Sequence, residues 1–281
     1  MPGTLFVVAT PIGNLEDVSA RALRVLREAA VIAAEDTRRT SHLLARFAIA
    51  TPTTSLHEHN ESGKAKSIVD RLVRGEDVAL VSDAGTPTVS DPGHALVQAA
   101  IDAGIRVEPI PGPNAAIAAL AASGFPADRF TFLGFPPTRS KDRKNWFDDL
   151  RRIGGVVVFY EAPHRIRQTL DELARIAGNC PIVVGRELTK AHEQFLRGPV
   201  RTVSDLLGEP RGEFTVVANV GQSTENVAAK VPNATELAIE FGHLTNNGGM
   251  TRRQVVSALA RKHHIPASQV YDAIESSKKL G

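Results

Sequence analysis

Seven short clusters mix turn-forming residues with side chains that could move a proton or grip an anion. They are T-P-I-G-N-L at Thr10–Leu15, E-D-T-R-R at Glu35–Arg39, H-E-H-N-E at His57–Glu61 and S-D-A-G-T-P-T-V-S-D-P-G at Ser82–Gly93. P-G-P-N at Pro111–Asn114, Y-E-A-P-H-R at Tyr160–Arg165 and G-R-E-L-T-K at Gly185–Lys190 complete the series. A carboxylate in such a cluster can take a proton, or it can form an ion pair with a neighbouring arginine. Glu35, Asp36, Glu58, Asp83 and Glu187 are the candidate bases. Asp83 and Glu35 stand out because each directly follows an expected strand. The competing role for every one is an ion pair with Arg38, Arg39, Arg165 or Arg186. Those arginines are also of the type that clamps phosphates.

Several familiar chemistries have no support. No G-x-G-x-x-G follows a strand, and Gly63-Lys64 lacks the upstream glycine of a P-loop. His192-Glu193 is followed by Leu196 where H-E-x-x-H needs histidine, so the sequence supports no metal site. A G-x-S-x-G elbow is missing as well.

The elements that must position the clusters alternate short β-branched runs with helical periodicity, an α/β pattern. Strands are expected at Thr4–Ala9, Val31–Ala34, Asp77–Val81, Arg106–Ile110, Phe130–Leu133, Gly155–Tyr160 and Ile182–Val184. Two more are expected near Glu193–Leu196 and Glu213–Val220. Helices are expected between them, at Val18–Ala30, Arg39–Phe47, Ile68–Val73, His94–Ala103, after Asn114, and over Lys141–Ile153 and Arg165–Ile176. The clusters then lie at the carboxyl ends of strands, where open α/β sheets bind ligands. A boundary near 111–114 divides domains at 1–112 and 113–222. Polar Gln222–Asn233 reads as a linker to a helical extension over 234–281, with helices at Thr235–His243, Thr251–Lys262 and Ala267–Lys278 and caps at Thr251 and Ser268. This unit resembles helix-turn-helix modules, with Arg252 and Arg253 opening its middle helix. The alternative is a structural tail that packs on the body or across a dimer, with Leu237, Val255, Leu259 and Ile274 as its buried stripe.

Composition agrees with a globular protein. The chain has 281 residues, 42% hydrophobic and 23% charged, with one cysteine and a formal charge of +2. Extensive disorder and an internal disulfide are thereby excluded. Residues 225–281 carry seven Lys/Arg against five acids, and a second basic concentration spans Arg139–Arg152. Such faces suit a polyanion or plain solvent. Leu5–Ala9 is too short for a signal segment and Ala115–Ala122 for a membrane span, so a cytoplasmic protein without membrane contact is expected.

Taken together, T-P-I-G-N-L-E-D, A-A-E-D-T-R-R-T, the Ser82–Gly93 block, I-P-G-P-N-A, F-Y-E-A-P-H-R-I and G-R-E-L-T-K-x-H-E resemble the tetrapyrrole-methylase superfamily. Within it they are most similar to the branch that methylates a cytidine 2′-hydroxyl of 16S ribosomal RNA. The resemblance covers roughly residues 4–221 in order, and the tail resembles that branch's helical extension. It implies two α/β domains with S-adenosylmethionine in the cleft between them, a homodimer, and 16S rRNA in the small subunit as partner. Carried over by position, it places Ile12, Gly13, Asp83, Gly85, Thr86, Pro87, Val89, Asn114 and Ala115 at the cofactor. From the second domain it adds Tyr160, Glu161, Leu188, Phe214 and Thr215. Substrate contacts fall to Arg38, Arg39, His57, Arg165, Arg186, Arg252 and Arg253. Gly85-Thr86-Pro87 stands where the tetrapyrrole enzymes carry Gly-Asp-Pro, which speaks against a porphyrin-type substrate. Two other readings remain, a tetrapyrrole C-methyltransferase and a non-catalytic RNA-binding assembly factor.

Overall fold

Runs of Val, Ile, Leu and Ala without polar alternation are what a strand covered on both faces requires. V-I-A-A at 31–34 and V-A-L-V at 78–81 are such runs, and every residue in both is buried. The computed structural model describes residues 1–57, 60–221, 234–247, 251–263 and 267–278. Strands β1 (Thr4–Val8), β2 (Val31–Ala34), β3 (Thr53–Ser55), β4 (Val78–Val81) and β5 (Arg106–Ile110) form a parallel sheet in the order β3-β2-β4-β1-β5. Helices α1 (Ala20–Glu28) and α2 (Thr37–Arg46) pack on one face. The other face is covered by α3 (Glu61–Val73) and α4 (His94–Asp102). In α1 the buried Ala22, Val25 and Leu26 recur at helical spacing, and the Ser19 hydroxyl caps the helix by accepting from Ala22 N at 3.0 Å.

From β1 the chain crosses to β2 on one side, and from β4 it crosses to β5 on the other. The carboxyl ends of the neighbours β1 and β4 therefore flank the switch point of the sheet. Glu61, the first residue of α3, reaches across and accepts from Gly93 N at 3.0 Å and Ala95 N at 2.6 Å. It thus fixes where the long loop after β4 turns into α4.

The turn Pro111–Asn114 carries the chain from the first sheet to the second. The second sheet contains β6 (Phe130–Phe132), β7 (Val156–Glu161), β8 (Pro181–Arg186), β9 (Gln194–Pro199) and β10 (Phe214–Asn219) in the order β6-β7-β10-β8-β9. Only β6 and β7 pair in parallel. Helices α6 (Ser140–Ile153), α7 (Ile166–Ala177) and α8 (Val200–Leu206) cover one face, and α5 (Ala115–Ala121) covers the other. Both sheets belong to one compact unit, Met1–Gly221. Three elements escape the sequence reading: β3, α8 and a 3-10 turn at Leu15–Asp17. Three- to seven-residue segments are too short for periodicity to register.

The second unit, Gln222–Gly281, is described through α9 (Ala234–Asn247), α10 (Arg252–His263) and α11 (Ala267–Lys278). Phe241, Val255, Leu259, Val270 and Ile274 close a small core, and Leu237 is buried as well. Of the apolar stripe expected in the tail, Val255, Leu259 and Ile274 belong to this core. At the start of α10, Thr251 N and Oγ1 both donate to Gln254 Oε1, at 2.9 and 2.8 Å, the backbone half of a capping box. Ser268 is the second residue of α11 rather than its cap. The expected linker at 222–233 lies outside the described residues. No helix among them is long and apolar enough to cross a membrane.

Candidate functional site

The loops after β1 and β4 are pinned together at the switch point. Thr10 N donates to Gly85 O at 2.8 Å and Gly85 N returns a bond to Thr10 O at 3.0 Å. Gly85 holds φ at +87°, a conformation that L side chains resist. Left-handed backbone also occurs at Thr88 (+71°) and Ser90 (+64°), and in the β8–β9 loop at Glu187 (+51°) and Thr189 (+66°). For β-branched threonines this is strained geometry, which clusters where function over-determines the backbone.

Between the two sheets these loops enclose a cleft of about 390 Å³. Ile12, Asp83, Gly85, Thr86 and Val89 line it from the first sheet, and Asn114 and Ala115 from the connecting turn. Tyr160, Glu161, Leu188, Phe214 and Thr215 line it from the second sheet. Of the positions expected there, Gly13 and Pro87 are not among the lining residues. A Cβ on Gly13 would meet Thr189 Oγ1 at 2.8 Å and Leu188 O at 2.9 Å, so this glycine permits close packing of the first loop on the β8–β9 loop. The sequence reading missed Ser90, Asp91, Phe135, Ala162, Pro163 and Glu213, all of which line the cleft. Asp91 carries a signal in retrospect, a second acid within the Ser82–Gly93 block. Phe135 carries none.

Three carboxylates enter from the first sheet. Glu35 Oε2 accepts from Asp83 N at 3.1 Å, Asp83 Oδ1 accepts from Asp36 N at 3.0 Å, and Arg39 stands 3.4 Å from Asp83 Oδ2. Burial raises the Glu35 pKa above its ordinary value, and the charge of Asp83 adds to the effect. Asp91 is pushed up to about 6 by burial, against a lowering contribution from the Ser82 hydroxyl. Glu35 and Asp83 raise it further through charge. Ser82 Oγ itself is buried.

The other candidate bases are engaged elsewhere. Asp36 caps α2 and binds Arg38 through two oxygens, and that pairing holds its carboxyl down near 2. Burial of Glu187 is outweighed by bonds from Glu213 N and Lys190 Nζ, at 2.9 and 3.0 Å, so its pKa falls. Glu58 lies outside the described residues.

On the opposite wall Glu161 is 1% exposed. Its Oε1 accepts from Arg165 at 2.7 Å and Ala162 N at 2.8 Å, and its Oε2 accepts from the Thr169 hydroxyl at 2.5 Å. Arg143, 7% exposed, adds its charge at 3.8 Å and bonds Glu172 at 2.7 Å. Arg143 is therefore a core residue within a helix whose other basic residues face solvent. Arg165 is committed to this network and to Pro136 O at 3.0 Å. Among the other expected substrate contacts, Arg186 Nε donates to Arg211 O at 2.8 Å, while His57 sits beside Asn60 ahead of α3 and away from the cleft. Arg252 pairs with Glu275 and lies over the Phe241 and Tyr271 rings, holding its own unit together. Arg253 is exposed. Arg39 lines the cleft with a side chain 67% accessible, while Arg38, 87% accessible, is paired with Asp36.

The cleft fits the cofactor that the sequence resemblance implies. Apolar Ile12, Val89, Leu188 and Phe214 offer surface to an adenosine, and the carboxylates favour a sulfonium charge. Arg39 is the one basic side chain lining it among the described residues, so no phosphate cradle is present. Nor do the described residues gather three or more His, Cys, Asp or Glu side chains that could hold a metal.

Comparison with known proteins gives the same direction. The family described as Tetrapyrrole (Corrin/Porphyrin) Methylases matches residues 4–204. A Halalkalibacterium halodurans protein named Ribosomal RNA small subunit methyltransferase I is 50% identical over 217 residues, covering 76% of this chain and 75% of the relative. A protein of the same name from Xylella fastidiosa is 49% identical over 93% of this chain and 97% of its own. Among solved structures, uroporphyrin-III C-methyl transferase from Thermus thermophilus, complexed with S-adenyl homocysteine, shares the fold at a TM-score of 0.54 and 18% identity. It covers 78% of this chain and 98% of its own.

Proposed function

This chain belongs to the tetrapyrrole methylase family, and on that premise we propose that it methylates the 2′-hydroxyl of a cytidine in 16S ribosomal RNA. S-adenosylmethionine is the methyl donor, and when bound it supplies an already activated methyl on a sulfonium. The protein's own work is then placement and proton removal. Holding the hydroxyl in line for attack supplies most of the rate, and a carboxylate that takes its proton adds roughly 10²–10⁴-fold. Asp83 is the acceptor, with Glu35 behind it. Arg39 on the cleft lining and its exposed neighbour Arg38 steady RNA phosphates. The protein acts in the cytoplasm as a homodimer.

The observation that carries the reading is the trio Glu35, Asp83 and Asp91 on one wall of the cleft. A porphyrinoid bearing carboxylates of its own would be repelled there, whereas a neutral hydroxyl needs an acceptor. The test offers labelled S-adenosylmethionine with 30S subunits, deproteinised 16S rRNA or uroporphyrinogen. Label in an RNA dinucleotide that resists alkali is expected, because a methylated 2′-oxygen can no longer attack its own phosphate. Label on uroporphyrinogen alone would overturn the reading.

A further inference from the structure

The Thr10–Gly85 bridge separates two cavities. Behind it, away from the large cleft, lies a second one of about 200 Å³. Consecutive residues of the first loop serve opposite sides: Pro11 lines the small cavity and Ile12 the large one. The only side chains lining both, among the described residues, are Arg39 and Asp83. These two form a window between the cavities.

The small cavity has the chemistry of a base pocket. Pro11, Leu15 and Leu43 offer apolar faces for a flat ring, and His42, Thr40 and Ser82 place polar groups around them. Ser82 is 3% exposed, and its buried hydroxyl lies close enough to Asp91 to lower that carboxyl's pKa. At about half the volume of the large cleft, the cavity suits one nucleoside and excludes a macrocycle.

We propose that the cavity beneath α2 receives a single pyrimidine nucleoside turned out of the RNA, with its ribose at the Asp83–Arg39 window. Sequence-specific RNA recognition works on unstacked bases, whose edges are then free to be read. This placement rests on the RNA reading above and deepens it. It also separates the two candidate acceptors: Asp83 faces both cavities, whereas Glu35 lines only the large one.

The test fills the cavity with Leu43→Trp and, separately, with Leu15→Trp at a position that is 41% exposed and tolerates a larger side chain. Single-turnover methylation of 30S subunits, calorimetric cofactor affinity and subunit binding are measured on both variants and on the unaltered protein. Expected is an at least tenfold slower transfer, with cofactor affinity and subunit binding within twofold. Transfer at the unaltered rate in Leu15→Trp overturns the pocket alone. Loss of cofactor affinity in Leu15→Trp also overturns it, by assigning the cavity to the cofactor. An unaltered protein that labels neither subunits nor RNA overturns the RNA reading, and the pocket falls with it.

Discussion

On the wall built by the second sheet, both oxygens of Glu161 are saturated by Arg165, Thr169 and Ala162 N, and Arg143 adds its charge. On the wall built by the first sheet, burial raises the pKa values of Glu35 and Asp91, and Asp83 has an arginine only at 3.4 Å. The two walls use the same side-chain chemistry for different ends. A carboxylate whose lone pairs are filled by buried cations anchors structure, and in doing so it is lost to catalysis. A carboxylate among other carboxylates is poorly compensated, binds protons more readily and remains available to a substrate. The difference lies in the partners that each fold element brings, since the E-D-T-R-R and E-A-P-H-R clusters are alike in composition.

Removing Glu161 should break this contrast most severely. Glu161→Ala leaves Arg143 and Arg165 partly unpaired in the core, at a cost of about 3 kcal/mol or more. Thermal melting should fall by on the order of 10 °C. A melting point within about 2 °C of the unaltered protein would mean that the network is surface-like in energy.

Asp83→Asn should do the reverse. Stability should change little, cofactor affinity should stay nearly intact, and single-turnover methylation should fall about 10–100-fold. Lost cofactor affinity would make Asp83 a cofactor contact, and unchanged turnover would leave catalysis to positioning alone.

Asp91 sharpens the comparison through pH. Its folded pKa, about 6, lies above the ordinary 3.8, so the folded state holds this proton more tightly than the unfolded chain does. The group's favourable contribution is therefore full below about pH 4 and is lost as pH rises through about 6. Asp91→Asn should then stabilise the protein at pH 8 by about 1–2 kcal/mol, less than a full two-unit shift implies because the cleft is open to water. The gain should vanish near pH 4. Urea denaturation at both pH values measures it, and an equal gain at both would assign it to packing.

The smallest effect is expected at Thr88, whose φ of +71° disfavours a β-branched residue. Thr88→Gly should relieve strain of about 1 kcal/mol, offset in part by greater freedom of the unfolded chain. A clear loss of stability would show that the Thr88 side chain is needed where it stands.

The sequence by itself determined the succession of most strands along the chain, the seven clusters and the placement of six of them after strands, all but His57–Glu61. It did so because central parallel strands must be continuous apolar runs and their following loops must be polar turns. Most residues expected at the cofactor line the cleft for the same reason, since position after a strand fixes position at the sheet's carboxyl edge. What a linear reading leaves open is which charges meet. Glu161 and Arg165 are four residues apart and could be read as a free acid and a phosphate-gripping base, until α7 turns the arginine back onto the carboxylate. Arg143 comes from another helix, and Asp91 approaches Glu35 across 56 residues of chain. Only the packing of α6 on α7, and the pinning of the β2 loop to the β4 loop through Asp83 N and Glu35, decides those encounters. Burial and partner charge are properties of the assembled fold, so the division between anchoring and reactive acids is settled in three dimensions.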